Sequence, residues 1–259
     1  MLNISPIHAF ADNYIWLLHR PDHSDAAVVD PGEASPVLET LARHALTLTA
    51  ILLTHHHRDH IGGVEALRAA FPACRVYGPR DSRIPGISDP RREGDEVALE
   101  GLGVRMQILE VPGHTSTHIA YLGAGALFCG DTLFTVGCGR VFDGTFEQLA
   151  ASLARIAALP GDTRVYCAHE YTLDNLGFAR WVEPDNPALA ARGEVAQGCR
   201  AAGLPTVPST LDTELATNPF LRTSEPRVIA AAERFAARPL GNGAEVFRAL
   251  REWKDKEYD

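Results

Sequence analysis

Long apolar runs are missing from this 259-residue chain. No stretch approaches the ~18 consecutive apolar residues of a membrane span. The start, "MLNISPIHAFADNYIWLL", lacks a basic opening followed by a long apolar segment, so a cytoplasmic protein without a signal peptide is expected. Basic residues are in deficit. Lys and Arg number 24 against 33 Asp and Glu, for a formal net charge of −9. Binding to a phosphate backbone needs a basic excess, so nucleic acid is excluded as a default partner, while small anions still respond to local charge. Cysteine is sparse: Cys74, Cys129, Cys138, Cys167 and Cys199 are odd in number and form no CxxC pair. A reduced compartment with no disulfide framework follows. No internal repeat or low-complexity tract is visible, and without a coiled-coil seam a monomer is expected. The composition is otherwise ordinary, 46% hydrophobic and 22% charged. The chain is long enough for a substantial core, in one large domain or a large one plus a small one.

The first two-thirds alternates strand-like and helix-like segments. "YIWLLHR", "DAAVVD", "LTAILLT", "CRVYG", "VRMQILEVPG", "STHIAYLG", "GALFCGD" and "TRVYCAHE" read as strands. "SPVLETLARHAL" reads as a helix capped by Ser35 with Pro36 in its first turn; "GGVEALRAAF" and "TFEQLAASLARIAAL" are also helical. The pattern predicts an α/β or α+β sandwich with helices outside sheets. After about Tyr171 four helical segments follow, separated by Pro and Gly, with no convincing strand. The expected division is a strand-rich unit over 1–170 and a smaller helical unit over 171–259.

Four places share a ligand-type residue at the end of an apolar strand. They are His55, His57, Asp59 and His60 after "AILLT", His114 after "ILEVPG", Asp131 after "ALFCG", and His169 after "RVYCA". Strand ends on one sheet edge are neighbours in space, so residues distant in sequence can converge there. Seven nitrogen and oxygen donors exceed one tetrahedral ion and suit two, with one carboxylate shared. In an extended segment residues two apart point the same way, so His55 and His57 can grip one ion while His56 points elsewhere. Asp59 and His60 fall where a helix begins and can turn toward a second ion. His8, His19, His23 and His44 read as ordinary surface or core residues. His118 follows His114 by four, a spacing zinc helices use, but Pro112 and Gly113 disfavour a helix, which leaves a supporting role. Cys129 and Cys167 read as small buried hydrophobes.

Thr54-His55-His56-His57-Arg58-Asp59-His60 resembles the T-H-x-H-x-D-H signature of the metallo-β-lactamase superfamily, and "VPGHTSTH", "FCGDTLF" and "YCAHEYT" resemble its later motifs in order. The resemblance implies an αββα sandwich with a two-metal site at one edge, followed here by a small all-helical C-terminal domain. "AFADNYIWLL", "GDTLFTVGCGR", "CAHEYTLDNLGFARWVEPDN", "TNPFLR" and "FRALREWKD" extend it to the glyoxalase II (hydroxyacylglutathione hydrolase) family over essentially the whole length. By that resemblance His55, His57 and His114 bind one divalent ion, Asp59, His60 and His169 the other, and Asp131 bridges them. Asp30 in "VVDPG" gives structural support. Zinc is the expected metal, with iron and manganese as alternatives that spacing does not separate. Arg140, Phe142, Tyr171, Arg251 and Lys254 are implied to hold the glutathione part. Some members have Lys and Tyr where this chain has Arg140 and Phe142, a change that keeps the charge and removes a phenolic hydroxyl. Spacing alone also allows Arg251 to pair with Asp255 on a solvated helix.

The implied reaction is hydrolysis of S-D-lactoylglutathione to D-lactate and glutathione, with Asp59 orienting the attacking water. The rival within the same fold is a glutathione persulfide dioxygenase using one iron. From another class, a metal-storage or sensor module would need the donors and not the substrate residues.

Overall fold

The computed structural model describes residues 2–258. Backbone contacts divide the chain into two units, Met1–Glu110 with Thr117–Gly130, and Val111–Ser116 with Asp131–Asp259.

In the first unit β1 (Asn3–Ala9), β2 (Asn13–His19), β3 (Asp25–Val29), β4 (Thr47–Leu52), β5 (Arg75–Pro79) and β6 (Asp89–Arg91) lie side by side in that order. The first two pairings are antiparallel, and β3 to β6 are parallel. Parallel neighbours need crossovers. Here α1 (Ser35–Arg43) joins β3 to β4, while the single turn α2 (Arg58–Ile61) and α3 (Val64–Ala70) join β4 to β5. Val37 and Leu41 of α1 and Val64 and Leu67 of α3 pack with Ile15, Leu17, Val28, Ile51 and Val76 in one buried cluster. Alternate residues of β2 point the other way: Trp16 and Leu18 are buried without joining that cluster. A strand covered on both faces reads as continuous apolar sequence, as "YIWLL" does. The antiparallel run β7 (Glu96–Leu99), β8 (Val104–Glu110), β9 (Ile119–Gly123) and β10 (Ala126–Gly130) completes the unit. It is tied to the end of β4, where Tyr121 Oη donates to the Leu53 carbonyl at 2.9 Å.

This topology has one consequence for chemistry. The carboxyl ends of parallel strands open onto one edge, where polar side chains from several loops can meet. Asp30 follows β3, residues 53–60 follow β4, and Asp81 follows β5. Close approach there depends on Gly32, since a β-carbon on it would stand 1.9 Å from the Asp59 carbonyl oxygen.

In the second unit β11 (Leu133–Phe134) and β12 (Gly137–Cys138) make a small hairpin, α4 (Phe146–Ala157) follows, and β13 (Arg164–Cys167) leads to the helices. A capping box starts α4: Thr145 Oγ1 accepts from Gln148 N, and Gln148 Oε1 accepts from Thr145 N. The helices α5 (Thr172–Val182), α6 (Pro187–Ala201), α7 (Leu211–Thr217), α8 (Pro226–Ala236) and α9 (Gly243–Trp253) follow. Leu176 and Ala179 of α5 pack on Leu189 and Ala196 of α6 and on Val136. Glu214 is fully buried, and burial pushes its carboxyl up from the usual range. It accepts from Val136 N at 2.7 Å and pairs with Arg192 at 3.3 Å, so α7 anchors the β11–β12 loop.

Three local expectations need correction. Ser35 is the first helical residue of α1, and Ala34 occupies the cap position without a side-chain hydrogen bond. A side-chain cap requires non-helical backbone at the capping residue, which Ser35 does not have. The region after Tyr171 does contain a strand, β14 (Ser209–Thr210), antiparallel to β13. Two residues carry no periodicity, so pattern could not reveal it. Asp59 and His60 lie in α2, a separate turn before the helix that "GGVEALRAA" builds. Among the described residues no helix is long and apolar enough to cross a membrane.

Candidate metal centre

The donors of the first unit sit on the segment after β4. His57, at the cap position of α2, has extended backbone with φ −63° and ψ 145° and no side-chain cap hydrogen bond. The ring centroids of His55 and His57 stand 4.7 Å apart. His56 Nδ1 lies 3.6 Å from Asp81 Oδ2, and the His56 ring stands 4.8 Å from that of His57. One helical turn then brings the His60 ring to 4.1 Å from that of His55, and Asp59 Oδ2 to 3.4 Å from His60 Nε2. Asn13 Nδ2 donates to Asp59 Oδ2 at 3.0 Å. The ring of His118 stacks on His55 at 4.6 Å and 17°, while its Nδ1 meets the Ile119 carbonyl.

Asp30 is engaged from several directions. Its carboxylate accepts from Thr54 N at 2.8 Å and from Thr54 Oγ1 at 2.7 Å, and His60 Nδ1 lies 3.0 Å away. Donor atoms of Asp30, His55 and His60 fall within 4.8 Å of one another. The hydrogen bonds of Asp30 make it an orienting group for that segment, in line with the supporting role implied by the sequence resemblance.

The donors of the second unit converge on Asp131, which is 6% exposed. Its Oδ2 lies 3.5 Å from His114 Nε2 and 3.4 Å from His169 Nε2. The other nitrogen of His114 meets the Arg140 carbonyl at 2.7 Å. Tyr171 stacks on His169 at 4.7 Å and 7°, with Phe134 edge-on at 5.7 Å.

Hydrogen bonding fixes which ring nitrogen can bind a cation. A carbonyl only accepts, so His114 Nδ1 carries its proton and leaves the lone pair on Nε2. Thr54 Oγ1 donates to Asp30, hence it accepts from His55 Nδ1 at 3.0 Å. His60 Nδ1 likewise faces a carboxylate. Three buried imidazoles therefore present a basic Nε2, the tautomer a metal ligand needs, with the outer partner that commonly sets it. In each unit these nitrogen donors stand beside a carboxylate, Asp59 in the first and Asp131 in the second, a donor chemistry that suits divalent cations. Among the described residues no cysteine belongs to the convergent donor groups.

The proposed substrate residues divide into two groups. Phe142 is 64% exposed, and its ring meets His114 edge-on at 5.2 Å. Arg140 is half-exposed, with Nε 3.7 Å from Asp255 Oδ1. Arg251 is 1% exposed; it holds Asp255 Oδ1 at 2.8 Å, and its Nη1 donates to the Cys138 carbonyl at 3.1 Å. The i to i+4 pairing that spacing allowed is present. Lys254 lies in a π turn beyond α9 and reaches Asp174 at 3.4 Å, so it and Arg251 meet different acids. Asn13 and Asp81 are site-adjacent residues to which sequence reading gave no role, whereas His118 was expected in a supporting one. Asn13 stood in the quoted "AFADNYIWLL", and Asp81 follows a strand end as the proposed ligands do.

Comparison with known proteins agrees with this chemistry. Residues 11–169 match the model of the metallo-β-lactamase superfamily, and residues 170–257 that of the hydroxyacylglutathione hydrolase C-terminus. Hydroxyacylglutathione hydrolase from Alkalilimnicola ehrlichii is 56% identical, over 99% of this chain and 100% of that protein. The protein of the same name from Pseudomonas fluorescens is 52% identical, again over 99% of this chain and 100% of that one. Among solved structures, ETHE1 from Myxococcus xanthus shares the fold with a TM-score of 0.68 and 24% identity, covering 100% of this chain and 93% of that one. TTHA1623 in a di-iron-bound form has a TM-score of 0.61 and 25% identity, covering 84% of this chain and 100% of that one. The architecture is the metallo-β-lactamase fold followed by a helical C-terminal region. The chain belongs to the hydroxyacylglutathione hydrolase family.

Proposed function

We propose that this chain is a thioester hydrolase that converts S-D-lactoylglutathione to D-lactate and glutathione. The observation that carries the reading is the set of buried imidazoles whose Nδ1 is fixed by Asp30, Thr54 or a carbonyl, leaving Nε2 to bind. Near full-length identity to hydroxyacylglutathione hydrolases supports the reaction class over a persulfide dioxygenase. His55, His57 and His114 would hold one divalent cation and Asp59, His60 and His169 a second, with Asp131 shared. Such cations lower the pKa of a bound water from 15.7 toward ~7 and take up negative charge developing on an acyl oxygen. Zinc suits the donors, and iron is the alternative supported by the di-iron-bound relative of the same fold.

Asp59 orients the water that attacks the acyl carbon, its own carboxylate fixed by Asn13. The leaving group is a thiolate. With a thiol pKa near ~8.5 it departs without a strong general acid. Arg140, Phe142, Tyr171, Arg251 and Lys254 are the proposed glutathione contacts. Residues 1–170 would form the catalytic domain and 171–259 the substrate-binding domain. A cytoplasmic monomer acting on this small molecule, with neither nucleic acid nor membrane as partner, completes the proposal.

Removal of the cations tests it. Dialysis against a strong chelator, with metal loss verified by elemental analysis, should abolish hydrolysis of lactoylglutathione, and zinc should restore it. Full activity in verified metal-free protein refutes the reading.

A further inference from the structure

Two carboxylates bear on the segment from Thr54 to His60. Asp30 holds its ends, through Thr54 and His60. Asp81 faces its middle, where its Oδ2 lies 3.6 Å from His56 Nδ1. The Asp81 side chain is 4% exposed. It accepts from Arg83 Nη2 at 2.7 Å, from Arg83 Nε at 2.8 Å, from the Arg83 amide at 2.9 Å and from Thr117 Oγ1 at 2.5 Å. Thr117 precedes His118, whose ring stacks on His55, and the next amide, Ile119 N, donates to the Thr54 carbonyl at 2.9 Å. A buried carboxylate is costly without such partners. Arg83 and Thr117 account for its ionisation, and they aim it at the one histidine of the segment to which no ligand role is given.

We propose that Asp81, braced by Arg83 and Thr117, is a positioning residue that fixes His56 and thereby sets His55 and His57 in ligand geometry before a cation arrives. The inference rests on the reading of His55 and His57 as metal ligands. The His56 ring meets that of His57 at 4.8 Å and that of His55 at 6.4 Å, so restraining the middle residue limits the freedom of both neighbours. Without that restraint the segment can rotate, and the ordering of both imidazoles is drawn from the free energy of metal binding.

Asp81→Ala and Asp81→Asn in the full chain test this by zinc competition against a chromophoric chelator. The cobalt(II) spectrum and the unfolding of the metal-free proteins are recorded alongside. The zinc dissociation constant of Asp81→Ala should rise about 10–100-fold, the range for losing an outer partner of a ligand. The cobalt bands should shift, while KM at saturating zinc stays within about twofold. Asp81→Asn keeps an oxygen for Thr117 and Arg83 and should give an intermediate rise. Wild-type zinc affinity with an unshifted cobalt spectrum overturns the proposal. So does an affinity loss in Asp81→Ala that only follows its unfolding, with Asp81→Asn binding as wild type. Should Asp81→Ala fail to fold, Asp81→Asn and Thr117→Val carry the same comparison. A wild-type chain that takes up no divalent cation overturns the ligand reading and this inference together; normal uptake by wild type and variants overturns this inference alone.

Discussion

Asp131 Oδ2 lies 3.4 Å from His169 Nε2 and 3.5 Å from His114 Nε2. A buried carboxylate between two imidazoles is expensive unless a proton or a cation is shared among them. Asp131→Ala should lower metal content below the wild-type stoichiometry. It should also reduce kcat/KM by more than the ~10–100-fold that loss of an outer partner costs. Elemental analysis beside the thioester assay measures both, and wild-type values for both would remove Asp131 from any bridging role.

How far sequence alone reaches depends on the range of the signal. "THHHRDH" is local: it stands directly after a parallel strand, and the backbone is still extended at His57. The superfamily and its helical extension were legible because motifs run along nearly the whole chain. Pairings between distant segments were not. Nothing in "GPRDSR" says that Asp81 meets His56, although its position after β5 follows the same strand-end logic as the proposed ligands. Lys254 shows another limit. Its three-residue spacing from Arg251 implies a shared face only while α-helical geometry continues, and the helix gives way to a π turn at that residue. Arg251 illustrates competition: the resemblance implied a substrate contact and spacing allowed Asp255, and the fold pairs it with Asp255.

The cysteines give a prediction that depends on burial alone. Burial pushes the thiols of Cys74 and Cys167 up to about 12 and that of Cys138 up to about 11, while Cys129 is fully enclosed. The thiolate is the reactive form, so all four should resist alkylation at pH ~8. Cys199 is partly exposed. Brief iodoacetamide treatment of the native protein should add one label, on Cys199, and urea should release all five sites. Peptide mass spectrometry reads the outcome, and native labelling of Cys138 or Cys167 would contradict the packing described here.

Arg251 offers the sharpest separation of stability from binding. Its guanidinium is enclosed, pairs with Asp255, donates to the Cys138 carbonyl and lies over the Phe220 ring at 5.5 Å. Breaking a fully buried ion pair costs about 3–5 kcal/mol, but Asp255 is partly exposed, so Arg251→Ala should cost nearer 2 kcal/mol. If Arg251 also grips a substrate carboxylate, loss of a charged hydrogen bond worth about 1.5–3 kcal/mol should raise KM roughly 10-fold or more, with a smaller change in kcat. Arg251→Lys keeps the charge and loses the fork that holds Asp255 and the carbonyl at once, so it should recover part of KM and little of the stability. Thermal unfolding and steady-state kinetics on both variants distinguish the two roles. A lowered Tm with unchanged KM would make Arg251 a structural clamp between α9 and the β11–β12 hairpin, and would leave Arg140 and Lys254 as the cations to test for glutathione.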